Sequence, residues 1–166
     1  MSTPKKYYTD RDVRSFVHKI IRDMTADGWR PDYIVGLTRG GLVPANMLSQ
    51  YLDIPMNALK VSLRDDTDSQ ESNLWMAEDA FNGKNILIVD DINDTGATLN
   101  WIRQDWPSGC LPNDEKWNTV WNNNVRFAVL VDNQNSEFDT IDYSGVEINK
   151  AEEDVWIVFP WENWWE

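Results

Sequence analysis

The residues best suited to chemistry stand in one stretch of sequence, ILIVDDINDTGATL at 86–99. A run of pure hydrocarbon, Asn85–Val89 (from Ile86 onward), leads into two adjacent carboxylates, Asp90 and Asp91, and Asp94 follows in the same turn. Packing does not account for the pair, because neighbouring carboxylates repel and each loses hydration when the strand that carries it is buried. Ligand hydroxyls or a bound cation would relieve both costs. Thr95, Gly96, Ala97 and Thr98 come next, where a helix is expected to begin. Their small side chains let a phosphate approach free backbone amides, the hydroxyls add donors, and the helix dipole adds a favourable potential. One turn thus offers carboxylates for sugar hydroxyls or magnesium beside a cradle for phosphate. Together these are the requirements of a sugar phosphate.

A second turn, Leu37-Thr38-Arg39-Gly40-Gly41, ends another apolar run and is followed by Leu42-Val43-Pro44. Glycines permit positive φ and close backbone approach, and one arginine can clamp two phosphate oxygens. Alone, an Arg-Gly-Gly sequence is commonly no more than a tight turn. Paired with the acidic turn, it reads as a second anion site.

The stretch 86–99 resembles the diphosphate-sugar signature of the type I phosphoribosyltransferases: a hydrophobic strand, two acids, and a Thr/Gly/Thr phosphate turn. The resemblance implies that Asp90 and Asp91 hold the ribose hydroxyls, directly or through Mg²⁺, and that Asp94 to Thr98 wrap the 5-phosphate. In purine-using members the acid at the place of Asp94 lies near N7 of the base and is the proposed proton acceptor. The turn at Thr38, Arg39 and Gly40 is similar to the pyrophosphate loop of the small bacterial xanthine–guanine branch. The polar segment Arg64–Ser72 occupies the place of that family's lid, where Arg64 would reach the pyrophosphate. A lid makes physical sense, since an oxocarbenium-like sugar must be kept from water.

The run DVWIVFPWE near the C-terminus resembles the base-binding hood of the same branch. By that resemblance Trp156 would stack on a purine, worth about 1–3 kcal/mol, and the backbone of Ile157 would meet the pyrimidine edge. The chain departs from the pattern after Val125–Val131. The 6-oxopurine enzymes carry a lysine there, and this sequence has Asn133. An asparagine amide both donates and accepts, so it discriminates oxo from amino groups less sharply than a cation. Lys150 is a candidate replacement charge, with nothing in the sequence to fix its direction.

These residues need a scaffold that brings separate strand ends together. Thr9 can cap a helix with Val13, Phe16, Val17, Ile20, Ile21 and Met24 at helical spacing, ended by Gly28. Asp32–Leu37 reads as a buried strand, Leu42 to Leu52 as a helix, and Pro55–Leu63 as a strand. Asn85–Val89 has the unbroken apolar character of a central strand buried on both faces. A helix from about Ala97 to Trp106 follows it, and the polar, Trp-containing segment 107–124 is an insertion without an assigned structure. Val125–Val131, Ile141–Ile148 and Asp154–Phe159 read as further strands. Alternating strands and helices argue for a parallel α/β fold, whose ligands bind outside the carboxyl ends of the strands. The resemblance narrows this to the type I phosphoribosyltransferase fold, a mainly parallel sheet of about five strands flanked by helices with a small C-terminal hood. One domain over 1–166 is expected, with a core of about 9–131 and a hood of about 132–163.

Composition bounds the partners. Asp and Glu number 28 against 15 Lys and Arg, a net charge of −13, which disfavours nucleic acid and anionic membranes. No apolar run approaches the roughly 20 residues of a membrane span, and the N-terminus has no signal-peptide core. The single Cys110 excludes an internal disulfide and suits a reducing cytoplasm. Zinc chemistry lacks ligands, with His18 the only histidine. The expected partners are 5-phosphoribosyl 1-pyrophosphate and a nucleobase, with guanine, xanthine or hypoxanthine favoured in purine salvage. A homo-oligomer is a further expectation from the resemblance. Alternatives are an enzyme for adenine or a non-purine base, and a regulatory module that binds the ribosyl pyrophosphate without turning it over. The Arg39 turn and the acidic charge both favour the enzyme.

Overall fold

The computed structural model describes residues 2–61 and 74–166. In chain order the elements are β1 (Lys5–Tyr7), α1 (Asp10–Ala26), β2 (Tyr33–Thr38), α2 (Leu42–Leu52), β3 (Met56–Lys60), α3 (Leu74–Phe81), β4 (Ile86–Asn93), α4 (Ala97–Gly109), β5 (Val125–Asn133), β6 (Tyr143–Ile148) and β7 (Trp156–Val158). A short 3-10 helix spans Glu115–Thr119.

The start of α1 follows from local chemistry. Thr9 Oγ1 accepts from the Asp12 amide at 3.1 Å, and the Asp12 carboxylate accepts from the Thr9 amide at 2.9 Å. This reciprocal capping box satisfies two donors that the first helical turn leaves open. Val13, Val17, Ile20, Ile21 and Met24 then form the buried stripe.

Five parallel strands make the main sheet in the order β3-β2-β4-β5-β6. Side chains alternate between its faces, and each face packs its own helical layer. Ile34, Leu87, Val89, Ala128 and Leu130 lie with Val17 and Ile20 of α1 and Ala45 and Leu48 of α2. Val35, Leu37, Ile86, Ile88 and Phe127 lie with Met76 and Ala80 of α3 and Leu99 and Ile102 of α4. Apolar residues on both faces explain the unbroken hydrocarbon of Ile86–Val89 in β4 and Phe127–Val131 in β5.

The strand order places the site. From β2 the chain crosses by α2 to β3 on one side, and from β4 by α4 to β5 on the other. Since α2 and α4 lie on opposite faces, the loops leaving β2 and β4 diverge and open a crevice between neighbouring strands. That reversal is where open α/β sheets bind ligands. No described helix is long and apolar enough to cross a membrane.

The structure adds elements that periodicity did not reveal. The hood is a second, two-stranded parallel sheet in which Lys5, Lys6 and Tyr7 pair with Trp156, Ile157 and Val158. The segment 107–124 is structured throughout much of its length. Helix α4 continues past Pro107 to Gly109, and the 3-10 helix buries Trp117. Trp117 stacks on Trp121 at 5.8 Å, and Trp121 stacks on Phe127 at 6.1 Å. The Trp117 indole also donates to the Cys110 carbonyl at 2.7 Å. These tryptophans pack around the start of β5, far along the sheet from its carboxyl edge.

Candidate functional site

At the carboxyl edge, β4 extends beyond its hydrocarbon run, so Asp90 and Asp91 are strand residues and the turn proper begins after Asn93. The Asp91 amide donates to Asp90 Oδ1 at 2.9 Å, and the Ile92 amide donates to Asp91 Oδ1 at 2.7 Å. Burial raises the pKa of both carboxyls, and the neighbouring Asp91 charge raises that of Asp90 further. Each therefore gains from a ligand that supplies donors or positive charge. Among the described residues no three His, Cys, Asp or Glu side chains converge as a metal cage. Two adjacent carboxylates without a cage fit a hard divalent cation that takes its remaining oxygens from substrate and water.

The phosphate turn is rigidly supported. Gly96 has φ of +90°, and a Cβ there would lie 2.5 Å from the Phe138 nitrogen, so only glycine fits. Ser136 Oγ donates to Asn93 Oδ1 at 2.8 Å, while Asn93 Nδ2 donates to the Phe138 carbonyl at 2.8 Å and to Asp132 Oδ1 at 3.0 Å. The Glu137 amide donates to the Thr95 carbonyl at 2.9 Å. With Gly96 as its N-cap, α4 has no side-chain cap. The Ala97 amide donates to Thr95 Oγ1 at 3.3 Å, and the first-turn amides that follow adjoin a cleft lined by residues 90–99. Asn93 and Ser136 were not singled out from the sequence. A buried polar residue inside an otherwise functional turn is the one signal that could have marked Asn93.

The second turn meets the first across the crevice. The Thr38–Arg39 peptide bond is cis, and the Gly41 amide donates to the Leu37 carbonyl at 2.8 Å. A Cβ on Gly40 would lie 2.0 Å from Asp91 Oδ2, so backbone and carboxylate touch only because residue 40 is glycine. Thr38, Arg39 and Gly40 line a broad cleft with Lys60, Asp91, Trp161 and Glu162. Burial and the Asp91 charge raise the Glu162 pKa. Arg64, the expected lid contact, lies outside the described residues.

A third cleft adjoins both. Asp91, Asp94, Lys150, Trp156, Phe159 and Glu162 line it, together with Ile92 and Ile157. Trp156 is 53% exposed and presents its ring. Ile157 beside it is buried, 6% exposed. Asp91 lines all three clefts, so an anion cradle, an arginine loop and an aromatic shelf share one carboxylate.

The model of the phosphoribosyl transferase domain family matches residues 6–163 of the chain. The chain belongs to this family. It is 30% identical to a xanthine-guanine phosphoribosyltransferase of Cereibacter sphaeroides, over 87% of the chain and 83% of the relative. It is 28% identical to a hypoxanthine-guanine phosphoribosyltransferase of Schizosaccharomyces pombe, over 98% and 91%. A purine phosphoribosyltransferase structure from Pyrococcus horikoshii superposes with a TM-score of 0.67 at 27% identity, covering 96% of this chain and 95% of that one.

Within this family fold, the structure brings together Asp90, Asp91, Asp94 to Thr98, Thr38 to Gly40, Trp156 and Ile157 around one crevice. Asn133 is placed differently from the expected base contact. It is 4% exposed at the end of β5. Its Nδ2 donates to the Asp94 carbonyl at 2.8 Å, and its Oδ1 accepts from the amides of Asn135 and Lys150 at 3.2 and 3.0 Å. With the amide so committed, Asn133 braces the cleft from beneath and does not line it. Lys150, whose direction the sequence left open, points into the cleft and pairs with Asp94 Oδ1 at 2.9 Å.

Proposed function

We propose that this protein transfers the 5-phosphoribosyl group from 5-phosphoribosyl 1-pyrophosphate to a purine base, forming the nucleoside monophosphate and pyrophosphate. The observation that carries the reading is the position of Asp91, common to the phosphate cradle, the Arg39 loop and the aromatic cleft. A substrate with its 5-phosphate on the Thr95–Thr98 amides has its ribose over Asp90 and Asp91. Its pyrophosphate then faces Arg39 and Gly40, and C1 faces a base lying on Trp156. Attack by a base nitrogen at C1 expels pyrophosphate, and holding both reactants in one crevice removes much of the entropic barrier.

The residues divide the work. Asp90 and Asp91 accept from the ribose hydroxyls or would hold Mg²⁺, which would supply charge neutralisation of the leaving group when bound. Asp94 lines both the phosphate and base clefts, and on this reading it takes the proton from the base. Arg39 binds departing phosphate oxygens as a fork. The family relatives named for xanthine, guanine and hypoxanthine support a purine as acceptor.

The test is pyrophosphate release from 5-phosphoribosyl 1-pyrophosphate and Mg²⁺, screened with guanine, hypoxanthine, xanthine, adenine, orotate and uracil. Base-dependent release with the matching nucleotide formed is the expected result. Binding of the sugar pyrophosphate with no release for any base would replace the enzyme by a sensor. Removing Mg²⁺ with a chelator is expected to abolish release, and undiminished release would refute the cation's role. Undiminished turnover by Asp94→Asn would refute its role as proton acceptor.

A further inference from the structure

The most unusual group in the molecule is a lysine that is both nearly buried and under-used. The Lys150 side chain is 14% exposed, and its Nζ makes one ion pair, 2.9 Å from Asp94 Oδ1. An ammonium has three N–H donors. No further hydrogen-bond acceptor or carboxylate meets this one among the described residues, although the Trp156 ring centroid lies 6.0 Å away. Donors that leave water without a replacement partner are costly, so such a group gains by meeting an acceptor. The open side of Lys150 is the cleft floored by Trp156.

Its placement is built into the fold. Lys150 follows β6, whereas Asp94 follows β4, two strands away in the sheet. One buried side chain joins them. Asn133, at the end of the intervening β5, donates through Nδ2 to the Asp94 carbonyl and accepts through Oδ1 from the Lys150 amide. A single amide therefore fixes the backbones of both ion-pair partners. Substituting a lysine at position 133 would remove the bracket, and keeping asparagine there leaves the cation to come from position 150.

On the basis of the purine transfer proposed above, we infer that Lys150 recognises an exocyclic oxygen of the base and that Asn133 is its positioning residue. A ring stacked on Trp156 brings one edge within reach of Lys150 and Asp94 together. An ammonium only donates, so it matches the carbonyl of a 6-oxopurine and opposes the amino group of a 6-aminopurine, which also donates. Selectivity thus comes from a mismatch as well as a bond. The ion pair also ties recognition to the acid beside it, because the same ammonium touches Asp94 and the base.

Inosine and adenosine 5′-monophosphates isolate the claim, since they share phosphate, ribose and ring and differ at the 6 position and its adjoining nitrogen. Their affinities are to be measured by calorimetry for the wild type, Lys150→Met and Lys150→Arg, with 5-phosphoribosyl 1-pyrophosphate as a third ligand. The wild type is expected to favour the inosine nucleotide by about 10- to 100-fold, the range for hydrogen bonds to charged groups. Lys150→Met should lose most of that preference while binding the adenosine nucleotide and the sugar pyrophosphate within about twofold of wild type, and Lys150→Arg should keep part of it. Equal weakening of both nucleotides in Lys150→Met would make Lys150 a structural partner of Asp94 only and overturn the inference. So would an unchanged preference, and in that case the purine transfer would stand. A wild type that binds none of the three ligands would overturn both readings.

Discussion

The phosphate turn and the base cleft adjoin at Asp94, yet they are built in opposite ways. The turn is one continuous stretch, 93–98, and on the proposed reading its ligand groups are backbone amides joined by the Thr95 and Thr98 hydroxyls. The base cleft takes Lys150 from the loop after β6, Trp156 from β7 and Asp94 from the turn itself. On the same reading its recognising groups are mainly side chains. An amide cradle tolerates changes of side chain provided the backbone keeps its path, whereas a side-chain cleft can change partner specificity at one position without disturbing the fold. The chain has the family pattern in the first region and departs from it in the second.

The largest expected effects lie at the carboxylate both regions share. Asp91→Asn should lower kcat/KM by about 100- to 1000-fold, the range seen when one preorganised charged contact is lost. The same variant should melt at a higher temperature at neutral pH without ligand, because it removes a charge whose ionisation burial disfavours. Calorimetric melting and initial rates on one preparation check both. A variant that loses activity and stability together would make Asp91 a structural residue. Gly40→Ala comes next. Its Cβ cannot coexist with the Asp91 carboxyl, so loop and carboxylate must separate, and displacements of about 1 Å at a reacting centre cost about 100-fold. That loss should fall on use of the sugar pyrophosphate, and wild-type kinetics would show that the crevice is wider than the structure has it.

Trp156→Ala sharpens the contrast from the other side. Loss of one stacking face is worth about 1–3 kcal/mol, or about 5- to 150-fold in the KM of the base. Because the ring is half exposed and contributes little to the core, melting temperature and the KM for 5-phosphoribosyl 1-pyrophosphate should stay near wild type. Equal changes in the two KM values would break the separation between cleft and turn.

The same contrast explains what could be read in the sequence. The acidic turn was legible because its strand, carboxylates and small residues are contiguous, and each element has a local signal. The Thr9 cap of α1, the buried stripe from Val13 to Met24 and the hydrocarbon of β4 were legible for that reason too, whereas the reciprocal contact from Asp12 came only with the structure. β1 was not, since Lys5, Lys6 and Tyr7 are all exposed and form a strand only because β7 supplies its partner. The segment after Pro107 looked polar because its asparagines and lysine outnumber its tryptophans. Stacking of Trp117 and Trp121 toward Phe127 is a tertiary event that no periodicity announces. Lys150 and Asn133 illustrate the limit most directly. Position 133 was readable as a departure from the family pattern, but its commitment to the backbones of Asp94 and Lys150 depends on strands brought together by the sheet.

The smallest expected effect tests whether the phosphate turn is as self-sufficient as that account requires. Ser136 lines none of the three clefts described above, but its hydroxyl donates to Asn93 Oδ1 and accepts from the Phe138 amide at 3.0 Å, behind Gly96. Ser136→Ala removes both contacts and leaves a buried asparagine oxygen without its donor, a cost of about 1–3 kcal/mol. If the turn is held by this bracket, part of that energy appears as a looser cradle. The KM for 5-phosphoribosyl 1-pyrophosphate should then rise a few fold, with the KM for the base unchanged. If the turn is held by its own backbone, the full cost appears as a lower melting temperature and neither KM moves. The two results separate support from ligand binding in a region where backbone atoms make the contacts, which substitution of Thr95 or Thr98 cannot do because those side chains serve both purposes.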